Sequence, residues 1–116
     1  YVSSSAIGHG MGNQIEGYFE KGQKVVVVED LISTGGSSIK AIEALKEGGL
    51  DVKGLIATFT YGFSVADDNF KKAACPYITL SNYDFLIEEA LNKAYITQND
   101  LQSLREWKDS PESWKK

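Results

Sequence analysis

The order of apolar and polar positions predicts alternating strands and helices. Lys24 to Val28 is a β-branched run between turn residues, which predicts a strand buried on both faces, as in parallel sheets. A helix is expected from about Ser37 to Glu47, because apolar residues recur at helical spacing and two glycines follow. Val52 to Tyr61 predicts the next strand. Strand, helix and strand in this order predict a βαβ unit with parallel strands and a right-handed crossover.

The segment before this unit is less regular. Residues 3–13 are rich in Ser, Asn and Gly and lack apolar periodicity, which predicts a loop. Residues 14–19 are expected to form a short strand, and the turn at 20–23 leads into Lys24.

After Tyr61 the pattern predicts helices around one further strand. Ser64, with Asp67 three positions later, is a capping arrangement that should open a helix. Thr97 and Asp100 repeat this arrangement before another helix. Residues 109–116 are polar and are expected to fray. The remaining expected elements are a strand at 77–80 and a helix at 84–94.

Composition and charge exclude several function classes. The 116 residues allow one domain at most. The net charge of −4 argues against nucleic acid as the main partner, because duplex binding needs clustered Lys and Arg. Cys75 and His9 are each the single residue of their type, which excludes an internal disulfide and a multi-His zinc site. The longest apolar run, Val25 to Val28, is too short to span a membrane, and a cytoplasmic location is expected.

The segment from Val25 to Ser37 carries the candidate chemistry. A strand delivers two adjacent carboxylates, Glu29 and Asp30, and a small polar loop then enters a helix. Ligands of open α/β sheets bind at this end of the strands, and helix N-termini favour anions. Gly35-Gly36 lets the backbone curl around a phosphate without Cβ clashes. The loop is therefore predicted to bind a phosphate.

The two carboxylates predict a second ligand group, because they would repel a phosphate that they faced directly. Ribose hydroxyls, bound directly or through Mg²⁺, are natural partners, so the segment indicates a ribose 5-phosphate unit. The P-loop and dinucleotide-binding glycine patterns are absent, since Gly36 precedes Ser37-Ser38 and the glycines at 8, 10 and 12 lack the required spacing. The alternative is an ordinary turn with a helix cap, in which the acids only solvate the strand end.

The whole segment resembles the 13-residue phosphoribosyl pyrophosphate (PRPP) motif of type I phosphoribosyltransferases. Its flanks, YV…HG…QIEG, GLIATFTYG and ITQNDLQSLREW, resemble the orotate phosphoribosyltransferase family. The resemblance implies an α/β fold, a Rossmann-like parallel sheet with flanking helices. Family enzymes are about twice as long, so an N-terminal part is expected to be absent. One domain fragment is expected over residues 1–116, divided into a catalytic loop and flank at 1–17, a βαβ core at 18–80 and C-terminal helices at 81–116.

The resemblance also implies a reaction and its partners. The family transfers the 5-phosphoribosyl group of PRPP to orotate, giving orotidine 5′-monophosphate and pyrophosphate in pyrimidine synthesis. Mg²⁺ is the implied cofactor, held mainly by PRPP without direct side-chain ligands. A homodimer that shares a mobile catalytic loop across its interface is expected, with no nucleic-acid or membrane partner. Two alternatives stay open: a non-catalytic regulator that binds PRPP, and a phosphoribosyltransferase for a purine base.

Residue roles follow from the same resemblance. Glu29 and Asp30 hold the ribose hydroxyls, residues 34–37 hold the 5-phosphate, and Ser33 contacts orotate. His9 and Asp30 are the expected catalytic residues. The expected PRPP-binding residues are His9, Glu29, Asp30, Leu31, Ile32, Ser33, Thr34, Gly35, Gly36 and Ser37.

Two segments depart from the family pattern. The family loop usually carries an arginine and lysines where this chain has Ser3, Ser5 and Ile7. Such cations stabilise the charge of the leaving pyrophosphate, so this chain is expected to be a poor catalyst as it stands. Thr60-Tyr61 replaces an arginine that other branches use for the orotate carboxylate. Phe59 and Tyr61 are candidates for stacking on a base, although core packing is the favoured interpretation.

Overall fold

The computed structural model describes residues 1–3 and 14–114, and within them it has a three-stranded parallel sheet with flanking helices. The expected α/β fold is confirmed. In this part of the chain, no helix combines the length and the hydropathy that crossing a bilayer requires. In chain order the elements are β1 (Lys24–Ile32), α1 (Gly36–Glu47), β2 (Asp51–Thr60), α2 (Ser64–Lys72), β3 (Tyr77–Asn82), α3 (Tyr83–Asn92) and α4 (Gln98–Asp109).

The sheet has the order β1-β2-β3, and both pairings are parallel. All three strands therefore end at the same edge of the sheet. β1 extends beyond the expected Val28 and includes both carboxylates, because its pairing with β2 continues to the Ile32↔Thr60 pair. Glu29 and Asp30 thus lie within the last residues of a paired strand, and the sheet holds their backbone in place.

One face of the sheet carries the main core. Its buried members come from β1, β2, both early helices and the turn before β3. Cys75 is among them and packs as a small buried hydrophobe, and burial raises the pKa of its thiol. The cluster consists of Ile32, Ile42, Leu55, Ala57, Ala66, Phe70 and Cys75.

The other face of the sheet is uncovered among the described residues. Val26, Val28, Ile78 and Leu80 alternate along β1 and β3 and are between 58% and 77% exposed. The prediction that Lys24–Val28 is buried on both faces is therefore wrong for this chain. Successive strand residues point to opposite faces, and α1 and α2 cover only the face that holds the core.

A second cluster lies at the carboxyl end of β2, against α3 and α4. The Tyr61 ring is stacked on Phe63 at 5.5 Å and meets Phe59 and Trp107 edge-on. The Tyr83 hydroxyl donates to a backbone carbonyl of α4 at 3.1 Å. The interpretation of Phe59 and Tyr61 as packing residues is confirmed.

The expected start of α2 at Ser64 and the expected capping box of α4 are confirmed, but two other predictions at helix ends are wrong. α2 begins at Ser64, yet Phe63 is the residue that precedes it and no side chain caps this end. Thr97 and Asp100 do form the expected capping box of α4. The polar end does not fray as far as residue 114, because the indole Nε1 of Trp114 donates to the carbonyl oxygen of Ser103 at 2.9 Å.

The segment before β1 has no strand over 14–19, contrary to expectation. Ile15 forms only an isolated antiparallel bridge with Val2. The backbone N–H of Ser3 donates to Gln14 at 2.8 Å, so the two ends of the predicted loop are tied together. Residues 4–13, which include His9, lie outside the described residues.

Candidate functional site

The carboxyl end of β1 and the N-terminus of α1 enclose an open cavity of about 290 Å³. The structure thus brings together the predicted segment 29–37 with one exception. Ile32 is 1% exposed and belongs to the core, so only its backbone can face a ligand. The lining residues are Glu29, Asp30, Leu31, Ser33, Thr34, Gly35, Gly36, Ser37 and Ser38.

The loop between β1 and α1 is shaped by α2. Gly35 has a φ of +84°, in the left-handed region, and a Cβ atom placed on it would lie 3.0 Å from Cε2 of Phe70. Only glycine meets both conditions without strain. The Asn69 amide donates to the carbonyl oxygen of Thr34 at 2.9 Å and fixes the preceding peptide. Sequence reasoning missed Asn69 and Phe70, because they act from a helix more than thirty residues away.

The first turn of α1 presents backbone donors to this cavity. The first helical hydrogen bond runs from the N–H of Ile39 to the carbonyl oxygen of Gly35 at 2.8 Å. N–H groups before that point have no helical acceptor, and the N–H of Gly36 makes only a long hydrogen bond of 3.4 Å to Oγ1 of Thr34. The first turn contains no acidic residue, so the positive end of the helix dipole is not offset there. Thr34, Gly36 and Ser37 are exposed, and the arrangement suits an anion.

The two carboxylates are oriented differently. Glu29 is half-buried, and its Oε2 accepts a hydrogen bond from Ser38 Oγ at 2.8 Å. Asp30 is exposed, and its Oδ1 accepts from the backbone N–H of Leu31 at 2.7 Å. The structure therefore adds Ser38 to the site, which sequence reasoning missed although it directly follows the predicted segment.

The carboxylate oxygens of Glu29 and Asp30 are compatible with a hard cation that is also coordinated by a bound ligand. In each carboxylate the second oxygen accepts no hydrogen bond from the described residues. Carboxylate oxygens suit hydroxyl donors and also Mg²⁺, which usually keeps waters or ligand oxygens in its shell. Within residues 1–3 and 14–114, no three His, Cys, Asp or Glu side chains are grouped to hold a metal by themselves.

A second cavity, of about 460 Å³, adjoins the first and shares Thr34 with it. Phe63 and Lys108 are part of its lining, and the Lys108 ammonium pairs with Asp84 at 2.7 Å. Neither member of Thr60-Tyr61 takes the place of the family arginine. Thr60 is buried with its hydroxyl accepting from the N–H of Gly62, and Tyr61 belongs to the aromatic cluster.

The ends of the predicted catalytic loop lie far from the first cavity. A Cβ atom on Gly48, at the C-terminal end of α1, would lie 3.1 Å from Cδ1 of Ile15 and 3.4 Å from Phe19. The cavity is at the N-terminal end of the same helix. At 1.5 Å per residue, α1 separates the two places by about 18 Å.

Comparisons with known proteins agree with this geometry. Residues 13–93 match the family model of the phosphoribosyl transferase domain. Over all 116 residues the chain is 59% identical to the orotate phosphoribosyltransferase of Cytophaga hutchinsonii and 56% identical to that of Listeria monocytogenes serotype 4b, covering 56% of each. Leishmania donovani UMP synthase is similar in structure, with a TM-score of 0.70 and 26% identity over 82% of this chain and 21% of that one. The chain spans little more than half the length of the curated relatives it matches.

Proposed function

Because the chain belongs to the phosphoribosyl transferase domain family, we propose that it is the PRPP-binding part of an orotate phosphoribosyltransferase. The proposed reaction transfers the 5-phosphoribosyl group of PRPP to orotate and releases pyrophosphate, in the synthesis of pyrimidine nucleotides. The observation that carries the proposal is the cavity at residues 29–38, where hydrogen-bond donors that can bind an anion lie beside two carboxylates. PRPP and orotate as substrates, and a cytoplasmic location, are parts of the same proposal.

The phosphate end of PRPP is assigned to the turn that opens α1. The backbone N–H groups of Gly36 and Ser37 and the hydroxyls of Thr34 and Ser37 surround one cavity. A 5-phosphate there would accept these hydrogen bonds and would also meet the positive end of the helix dipole. Ser33, on the same lining, is the proposed contact to orotate.

The ribose ring is assigned to Glu29 and Asp30. Both carboxylates line the cavity beside the phosphate donors, so they can accept hydrogen bonds from the 2′- and 3′-hydroxyls. Asp30 is also the proposed catalytic residue of this pair. When bound with PRPP, Mg²⁺ would offset the negative charge of the departing pyrophosphate. Glu29 and Asp30 are the acidic side chains that line the described cavity.

A homodimer in which each catalytic loop serves the partner's site is also proposed. The loop's ends lie about 18 Å along α1 from the chain's own cavity. His9 is six residues from Ser3, and six residues span at most about 20 Å when fully extended. Because the described ends of the loop lie at the opposite end of α1 from the chain's own cavity, the site of a neighbouring copy is the proposed place of action.

A non-catalytic PRPP-binding protein is the second candidate, and Ser3 is the observation that favours it. Ser3 lies at the loop base, where family enzymes usually have a cation, and a serine carries no charge to offset pyrophosphate. The proposed enzyme is therefore expected to turn over slowly with this loop. Losing one charged contact to a transition state typically lowers the rate by about 10² or more.

The test combines binding and turnover on the chain itself. In a titration with PRPP and Mg²⁺, amide resonances of residues 34–38 should shift first and most. Pyrophosphate release is then followed with orotate, adenine or hypoxanthine as the acceptor. Slow release with orotate and none with either purine base supports the proposal. Release with adenine or hypoxanthine supports the alternative of a phosphoribosyltransferase for a purine base. Binding without release from any base favours the regulator, and shifts confined to other residues would reject the site.

A further inference from the structure

The Ser38 hydroxyl is the one side-chain donor from α1 that reaches a carboxylate of the described site. Ser38 is 1% exposed, and its Oγ donates to Oε2 of Glu29 at 2.8 Å. We infer that Ser38 is a positioning residue, which holds the Glu29 carboxylate in the orientation that accepts the ribose hydroxyls of the ligand. The inference rests on the proposed function, because it concerns how the same site distinguishes a sugar phosphate from a bare phosphate.

Burial separates Ser38 from its neighbour Ser37. Ser37 is exposed on the cavity and can meet a ligand directly, whereas the Ser38 side chain is enclosed between α1 and β1. Although Ser38 is part of the cavity lining, its hydroxyl donates to Oε2 of Glu29, so its effect on the ligand passes through that carboxylate. Ser38 therefore acts through Glu29, and its contribution should disappear when Glu29 can no longer respond.

The hydrogen bond restricts a side chain that would otherwise sample many rotamers. A glutamate loses several rotatable bonds on ordering, and this loss weakens any ligand contact made by a mobile carboxylate. Charge-assisted bonds to a carboxylate are among the stronger hydrogen bonds in proteins. With Oε2 held by Ser38, Oε1 is left to accept from the ligand.

Asp30 provides an internal contrast. Its Oδ1 accepts from the backbone N–H of the next residue, so it is oriented by its own strand and has no partner from α1. Only Glu29 is linked to the helix whose first turn is assigned to the phosphate. The link ties the position of the sugar acceptor to the position of the phosphate donors.

The experiment compares two probes, inorganic phosphate and ribose 5-phosphate, by calorimetric titration. Ser38→Ala should weaken ribose 5-phosphate binding about tenfold, as expected for a lost hydrogen bond to a charged group, and should leave phosphate affinity unchanged. In a Glu29→Gln background, Ser38→Ala should have little further effect. The matched control is Tyr83→Phe, which removes another buried hydroxyl, one that donates to the carbonyl oxygen of Leu104 in α4, and should change neither affinity.

The outcomes separate this inference from the proposed function. If the unaltered chain binds neither probe, the proposed function fails and the inference fails with it. If ribose 5-phosphate binds and Ser38→Ala does not weaken it, only the inference is overturned. An equal loss for both probes would mean that Ser38 supports the loop as a whole and does not position Glu29. Side-chain scalar couplings of Glu29 in the unaltered chain test the same point without a variant: one fixed rotamer is expected, and rotamer averaging would overturn the inference.

Discussion

The carboxyl ends of β1 and β2 are neighbours on one edge of the sheet, yet they are built in opposite ways. β1 ends in exposed polar groups, and its loop is held by a few hydrogen bonds and one close contact with Phe70. β2 ends in aromatic rings whose centroids lie 5.2 to 6.0 Å apart. The rings come from Phe59, Tyr61, Phe63, Tyr83 and Trp107.

The contrast divides two tasks between adjacent strands. Ligands of parallel sheets bind beyond the strand ends. At the end of β2 packed rings occupy that position, and the cavity lined in part by Phe63 and Lys108 lies beside the rings. The end of β2 instead joins α3 and α4 to the sheet, while the end of β1 stays open to a ligand. Variants of the two ends should therefore change different properties, and four predictions test that division.

The largest effect on stability is expected from Trp107→Ala. Its ring contacts three others, and truncating a well-packed Trp costs about 3 kcal/mol or more of the free energy of unfolding. Urea unfolding measures the loss, and phosphate titration of the remaining folded protein should give an unchanged affinity. A lost phosphate site in a folded variant would show that the two ends are not separate.

Gly35→Ala should affect both properties. An alanine there is strained at a φ of +84° and meets the Phe70 ring, so we expect a loss of about 2 kcal/mol and a phosphate affinity at least tenfold weaker. Gly22→Ala is the matched control, because Gly22 has a φ of +82° with nothing within 4 Å of the added Cβ. The control should lose about 1 kcal/mol through strain alone and keep full phosphate affinity. Equal effects in both variants would remove Phe70 from the account.

The double change Glu29→Gln and Asp30→Asn should alter binding with little effect on folding. Neither side chain is fully buried, so the free energy of unfolding should change by about 0.5 kcal/mol or less. PRPP affinity should fall at least tenfold, because the ribose hydroxyls lose both charged acceptors, a difference of about 1.4 kcal/mol. Glu88→Gln, on the exposed side of α3, serves as the control in the same calorimetric titration. If melting collapsed while PRPP affinity persisted, the acids would be structural.

The smallest effect concerns pH and the aromatic end. Burial, and then the charge of Asp84, raises the pKa of Tyr83 above its usual value. Because the folded-state pKa is the higher one, the associated stability is fully present below about pH 10 and is lost as the pH rises through the raised pKa. Between about pH 9 and pH 11 the unaltered chain should therefore lose more melting temperature than Tyr83→Phe does. Identical losses would count against a buried, neutral Tyr83 hydroxyl.

The sequence predicted what depends on local pattern. The order of strands and helices from Lys24 onward, the Thr97–Asp100 capping box and the lining at 29–37 apart from Ile32 all come from residues close together in the chain. The prediction that Lys24–Val28 is buried on both faces was wrong, because such burial depends on what covers the second face of the sheet. The strand's continuation past Val28 depends on pairing with β2, which overrides the weak strand preference of two acids.

Contacts between distant segments were not predictable in the same way. Asn69 and Phe70 shape the loop from α2, and no local pattern marks them for that role. Ser38 looks like any serine in a first helical turn, and only its burial against β1 shows the contact with Glu29. The chemistry of the site could therefore be predicted from one segment of sequence, while its geometry depends on residues that the fold brings next to that segment.

The close approach of Phe70 to Gly35 has a thermodynamic consequence. Phe70 is among the largest fully buried side chains, so the ring that shapes the anion turn is also part of the main core. The turn cannot open without disturbing that core, and amide exchange at Ile39, whose N–H bonds to Gly35, should proceed mainly through global unfolding. By linkage, an anion that binds the turn stabilises the whole core, and a substitution that loosens the packing of Phe70 lowers the affinity of the turn for that anion.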